Sequence, residues 1–322
     1  MRPSRIPALR RRLSRFVMQV SDGPAAMQQN GAGIETTAFG WIEMKYKDIL
    51  VYLDDGASND ERVKTALALA QAHGARLTGV VVNATPPVNV LMRLGISGSN
   101  DLVEKAQAAA EKTAAEFEAI VGQAGVENRT RIVEAKEGRV PQKVAHLARG
   151  FDLSIMRQAN PDRSNADLVL EVSEEVLFSS GRPVLFMPYI GAHRIPCRRA
   201  MLAWDASPAA TRALHDAMPM MEDMDEVVIL VIDDDKQEWI GGVRPGEEIS
   251  EHLSAHGIDN RVQRVVSGSA TTSTIILNEL SDLGVDLLIM GGYGTPKLRE
   301  VVLGGVTRTL MNTMTVPVFM SH

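Results

Sequence analysis

Cysteine is nearly missing: Cys197 stands alone in 322 residues. No intrachain disulfide can form, and no Cys-x-x-Cys or Cys/His spacing marks a structural metal, so we expect a reducing, cytoplasmic setting. Aromatic residues make up only 4%, which leaves few platforms for stacking unpaired bases. Positive charge is not in surplus either. A net charge of -6 argues against a general attraction to phosphate backbones, so nucleic acid is not an expected partner and any phosphate site must be built locally. Nor does any apolar run approach the ~18 residues of a bilayer span; even Val227–Ile232 gives way to Asp233, Asp234 and Asp235. A membrane is therefore not an expected partner.

One segment differs from the rest. In the leader, residues 1–43, Arg2, Arg5, Arg10, Arg11, Arg12 and Arg15 all precede the first acidic residue, Asp22. No apolar stretch follows them as it would in a secretory signal. The favoured reading is a disordered, solvated extension, or upstream codons translated from a misplaced start. A nucleic-acid arm and an organelle transit peptide stay open.

What the chain does contain is an alternation. A length of 322 residues with 45% hydrophobic and 23% charged composition suits two soluble domains of ordinary size. From Asp48 onward, short β-branched runs alternate with longer helical stretches, which predicts a parallel sheet covered by helices. Five strands are expected in each half: 49–53, 77–82, 131–134, 153–156 and 184–187, then 201–204, 227–232, 262–266, 287–290 and 318–320. The halves repeat one another. Phe151-Asp152-Leu153-Ser154-Ile155-Met156 matches Val285-Asp286-Leu287-Leu288-Ile289-Met290, and no gap separates the copies from there to Arg182-Pro183-Val184 and Val316-Pro317-Val318. The expected fold class is α/β, two tandem five-stranded parallel-sheet sandwiches, with domains at 44–190 and 199–322 and a linker at 191–198. A helix over roughly 102–121 carries Ala106, Ala109, Ala110 and Ala114 as a narrow stripe suited to packing on the sheet.

Parallel sheets bind ligands outside the carboxyl ends of their strands. After the fourth strand of the second copy comes Gly291-Gly292-Tyr293-Gly294, and then Gly304-Gly305-Val306-Thr307 opens the last helix. Glycines let backbone approach a ligand, and a new helix offers unpaired N–H groups to an anion. The competing reading is a tight connection whose glycines serve only turning and packing. Asp205 closes the first strand; it either meets the ligand or caps the helix that starts near Ser207-Pro208. Lys297 and Arg299 in the loop are read as solvated cations, with phosphate neutralisation as the alternative.

Over residues 45–322 this arrangement resembles the ATP-binding branch of the universal stress protein family, whose signature is G-x2-G-x9-G-[S/T]. The resemblance implies an adenine-nucleotide α-hydrolase-like fold with ATP or a related adenine nucleotide as ligand, Mg2+ as a candidate companion, and a role in stress response. Gly291, Gly294 and Gly304 take the three glycine positions, and Asp205 takes that of an aspartate near the adenosine. Ala203 stands where many members have proline, Val231 and Met290 fall at adenine-lining positions, and Val306 and Thr307 continue the helix start. Gly305 replaces the signature's Ser or Thr. The lost hydroxyl is worth about 1 kcal/mol, or roughly fivefold in affinity, so weakened binding is expected. Tandem members pair two domains within one chain much as single-domain members form homodimers; a homodimer of this chain stays open.

The first copy lacks the cradle. Arg157, Asn160, Leu170 and Glu171 stand at the positions of Gly291, Gly294, Gly304 and Gly305. Glu171 is expected near the helix start, where its carboxylate would repel a phosphate. Arg157 reads as an exposed charge, with an anion or partner contact as the alternative, and Asp54 and Asp55 read as caps or solvated residues.

Other constellations are weaker. Asp233, Asp234 and Asp235 form either a hydrated turn or a Mg2+ site. His252 and His256 lie four apart on a helix with no third metal ligand identifiable, and read as surface residues. Ser267-Gly268-Ser269 lacks a nucleophile-elbow pattern and reads as the start of the next helix, with Thr271–Thr274 as capping candidates. Met218, Met220, Met221 and Met224 suit core filling. No general base can be assembled, so a nucleotide-binding regulatory or protective module ranks above a slow ATP hydrolase or nucleotidyl transferase. A nucleotide-free interaction scaffold is the third reading.

Overall fold

A computed structural model describes residues 45–54, 59–86, 88–134, 139–191, 196–234, 242–292 and 305–322. The basic leader, Asp55, Asp235, Lys297 and Arg299 lie outside these residues, as do Gly294 and Gly304. In chain order the first half runs β1 (Asp48–Leu53), α1 (Asn59–His73), β2 (Arg76–Asn83), α2 (Val88–Arg93), α3 (Ser99–Gln123), β3 (Asn128–Glu134), α4 (Val140–Ala148), β4 (Leu153–Arg157), α5 (Ala166–Ser179) and β5 (Val184–Met187). The second half runs β6 (Arg199–Ala203), α6 (Pro208–Met221), β7 (Glu226–Ile232), α7 (Glu247–Ala255), β8 (Asn260–Val265), α8 (Thr272–Asp282), β9 (Leu287–Gly291), α9 (Gly305–Thr313) and β10 (Val318–Ser321).

The fold is α/β, and its ten strands lie in one sheet in the order β3-β2-β1-β4-β5-β10-β9-β6-β7-β8. All neighbours run parallel except β5 and β10, which pair antiparallel where the halves meet. There Leu185 sits opposite Phe319, its own counterpart in the repeat. The junction is thus locally self-complementary, as in a two-fold interface.

The central strands are buried on both faces, which explains runs such as DILVYL and EVVILVI in which apolar residues do not alternate with polar ones. One face carries α1, α3, α6 and α7, whose Val63, Phe117, Leu214 and Leu253 join a single apolar cluster spanning both halves. The other face carries α4, α5, α8 and α9, contributing Val144, Val172, Ile276 and Leu310. Met218, Met220 and Met221 are buried in the first of these layers, and Met224 packs against it. The alanine stripe of α3 divides: Ala110 and Ala114 are buried, whereas Ala106 and Ala109 edge an open pocket.

Candidate functional site

In the second half the strand ends and helix starts meet at one edge. An open pocket of about 500 Å³ lies outside the carboxyl ends of β7 and β8, lined in part by Asp233, Ser267, Thr271, Ser273, Gly305 and Val306. The first turns of α8 and α9 both face it, so their unpaired N–H groups border the same space. Asp205 follows β6 as an exposed residue, and its Oδ1 accepts a 3.0 Å hydrogen bond from the Ser207 amide. It does not cap α6. Ser207 does, accepting from Ala210 N at 3.1 Å, with Pro208 in the first turn. The Asp205 carboxylate thus stays open to solvent.

Gly291 ends β9 under the start of α6. A side-chain carbon there would lie 2.5 Å from Ala210 N and 2.7 Å from Ala209 C, so helix backbone excludes any residue but glycine. Packing accounts for this glycine whether or not a ligand also approaches it. Gly305 is different, because an added Cβ would meet none of the described residues within 4 Å. Met290 is buried, Ala203 half-buried, and Thr307 buried in the first turn of α9. Val231 is fully buried in the layer of α6 and α7, beneath Gly246. Of the expected site residues, Gly305 and Val306 line the pocket.

In the first half an open pocket of about 350 Å³ lies outside the ends of β1 and β2, lined in part by Tyr52, Asp54, Asn83, Asn165 and Leu168, but charge takes the place of the strand-end glycine. Arg157 ends β4 where Gly291 ends β9, and it is a buried side chain, 2% exposed, rather than an exposed charge. Its Nε lies 2.7 Å from Asp54 Oδ2, and its Nη2 donates to Asn165 Oδ1 at 2.9 Å. Asp54 is 4% exposed, so neither solvation nor simple capping describes it. Its other oxygen, Oδ1, pairs with Arg62 Nη2 at 3.2 Å, while Arg62 Nε donates to Tyr52 O at 3.0 Å. Burial pushes the Arg62 guanidinium pKa down, Asp54 pulls it back up, and the like charge of Arg157 opposes Asp54. Glu171 also departs from expectation. α5 starts at Ala166, so Leu170 and Glu171 lie inside the helix and Asp167 is the acidic residue of its first turn. Ala166–Val169 already belong to that helix.

Residues 196–322 match the universal stress protein family model. The C-terminal half is a universal stress protein domain. The fold of the chain is similar to that of a universal stress protein from Archaeoglobus fulgidus DSM 4304, with a TM-score of 0.66 at 20% identity over 84% of this chain and 94% of that one. It is also similar to a functionally unknown protein from Pseudomonas aeruginosa PAO1, with a TM-score of 0.54 at 14% identity over 85% of this chain and 92% of the other. No curated protein sequence matches the chain.

Within the universal stress protein domain, the acidic turn is engaged internally. Asp233, at φ 53°, accepts from Ser267 N at 2.7 Å and Ser267 Oγ at 2.6 Å, and Asp234 pairs with Arg244 and Arg264. Thr271 caps α8, accepting from Thr274 N at 3.2 Å, as expected. Among the described residues no three His, Cys, Asp or Glu side chains are placed to hold a metal ion, and no helix is long and apolar enough to cross a membrane. The residue that sequence reasoning missed is Arg62. The signal was available: Arg62 shares the buried stripe of α1 with Ala66, Leu69 and His73, a position where an arginine needs a partner.

Proposed function

We propose that the C-terminal domain binds ATP or a related adenine nucleotide and acts as a stress-response regulatory or protective module. The carrying observation is the contrast at the two equivalent strand ends. Asp205 is exposed above an open edge, whereas Asp54 is sealed by two arginines. A bound nucleotide would lie along the ends of β6, β7 and β9, with phosphates toward the start of α9 at Gly305 and Val306 and the remaining glycines, Gly294 and Gly304, completing the loop. Met290 and Ala203 would supply the apolar surround, Val231 would support the end of β7 from the layer of α6 and α7, and Gly291 and Thr307 would hold the loop's two ends in place. Mg2+ would accompany the triphosphate; Asp233 and Asp234 are not offered as its ligands, since both carboxylates already have protein partners. The basis for one site per chain is the Arg157 plug in the first half.

Calorimetric titration of the full chain with ATP in the presence of Mg2+ tests this. One nucleotide should bind per chain, and Asp205→Ala should weaken it about fivefold, the worth of one lost polar contact. Two nucleotides per chain, or none, would overturn the assignment, and saturable release of ADP would replace the module with an enzyme.

A further inference from the structure

Three histidines stand in ring contact where α7 meets α6. The His252 ring centroid lies 5.1 Å from that of His215 on α6 and 4.8 Å from that of His256, which follows the last residue of α7. His215 and His256 are exposed, whereas His252 is half-buried. Its Nε2 is shielded from water and has no hydrogen-bond partner, an arrangement that tolerates a neutral ring far better than an imidazolium.

The surrounding charges do not compensate. Burial comes first among the influences that hold the His252 pKa down, followed by His256 and His215, and among the described residues no carboxylate opposes them. On α7 itself Glu247 is paired with Arg264, and Glu248 and Glu251 are exposed. On α6, Arg212 is engaged with His322 O and Asp216 with Ser321 Oγ. α7 is also weakly anchored: Leu253 is its one buried residue, with Ile249 packed partly against the core. Its polar ties are the Glu247–Arg264 pair and Asn260, which meets Ser250 and Ser254.

We propose that His215, His252 and His256 form an acid-sensitive latch, in which protonation of the water-shielded His252 ring below neutral pH breaks its packing against the other two and releases α7 from α6. The consequence reaches toward the candidate site. Gly246, at the start of α7, packs on Val231 and Val262, so release of the helix uncovers β7 near its carboxyl end.

Hydrogen exchange of the full chain, corrected for the intrinsic pH dependence, gives the readout. Between about pH 7.5 and about pH 5.5, protection of α7 amides should fall by at least roughly tenfold, with far-UV dichroism showing the rest of the fold intact. His252→Gln, which cannot take up the proton, should abolish that fall. In the wild-type protein the His252 ring should titrate below about 6.5 by NMR, and His215→Gln with His256→Gln should move it upward. Unchanged α7 protection on acidification, an undiminished fall in His252→Gln, or a His252 ring titrating at or above its ordinary value would each overturn the latch.

Discussion

Arg157 Nε lies 2.7 Å from Asp54 Oδ2, with both side chains almost wholly removed from water. With Arg62 on the other carboxylate oxygen, two guanidinium groups share one carboxylate. Removing the shared member should therefore hurt more than removing either outer one. Asp54→Asn leaves two buried like charges and should cost about 3–5 kcal/mol; Arg157→Met leaves the Asp54–Arg62 pair intact and should cost about half as much. Urea denaturation of the two variants checks the order. Equal losses would mean that the three groups do not act as one cluster.

A second expectation concerns Gly291. Because its missing side chain would strike the Ala209–Ala210 backbone rather than a movable side chain, Gly291→Ala should destabilise the chain by about 1–3 kcal/mol, as overpacking does. The loss should appear in urea denaturation without nucleotide present. If stability is unchanged, α6 yields more easily than a capped helix start should.

Both positions show what a sequence can and cannot carry. All ten strands overlap the stretches expected for them, and the inner ones are the plainest, because strands buried on two faces need apolar runs whatever surrounds them, whereas the edge strands β3 and β8 are only partly buried. The six residues of α2, by contrast, are too few to display a helical period, and that helix was not expected. Gap-free alignment placed Glu171 at a helix start by assuming that both copies begin their last helix together, but Ala166–Val169 extend α5. The charged cluster was legible only in part. Arg157 and Asp54 stood out at their strand ends, yet pairing between them depends on β1 and β4 being neighbours in the sheet, a tertiary fact. Gly291 was recognised as a glycine position, but its neighbour in space, the start of α6, has no signature near it in the chain.

Acid should weaken the fold through His73 as well. Burial, with Lys45 next, lowers its pKa, and its Nδ1 is buried without a partner beside the Tyr46 ring. Folded His73 stays neutral while the unfolded chain takes up a proton near pH 6.5, so its contribution is complete above about 6.5 and declines as pH falls toward the lowered folded value. The urea midpoint should drop across that window, and His73→Gln should flatten the decline. A decline identical in wild type and His73→Gln would assign the acid sensitivity elsewhere.

Cys197 should be unreactive while the chain is folded. It is buried, and burial, with Asp286 adding to it, pushes the thiol pKa up to about 12. Almost no thiolate is then available to an alkylating reagent. A chromogenic disulfide reagent should label it only at the rate of unfolding, rising with urea in step with loss of structure. Rapid stoichiometric labelling of the native protein would show that the packing around Cys197 opens locally.

Gly305→Ser separates ligand binding from packing most cleanly. At Gly305 an added Cβ has open space around it, and the backbone is not in the left-handed region, so a serine fits without strain. The residue lines the pocket in the first turn of α9, where a hydroxyl adds a donor beside the free N–H groups. If phosphate sits there, the serine should tighten ATP binding by about fivefold, equivalent to about 1 kcal/mol, while leaving adenosine affinity unchanged. Stability without nucleotide should move by no more than about 0.5 kcal/mol, as at an open surface position. Parallel titrations of ATP and adenosine against both proteins decide the matter. An equal gain for both ligands would place the hydroxyl near the nucleoside, and no gain for either would remove the start of α9 from the binding site.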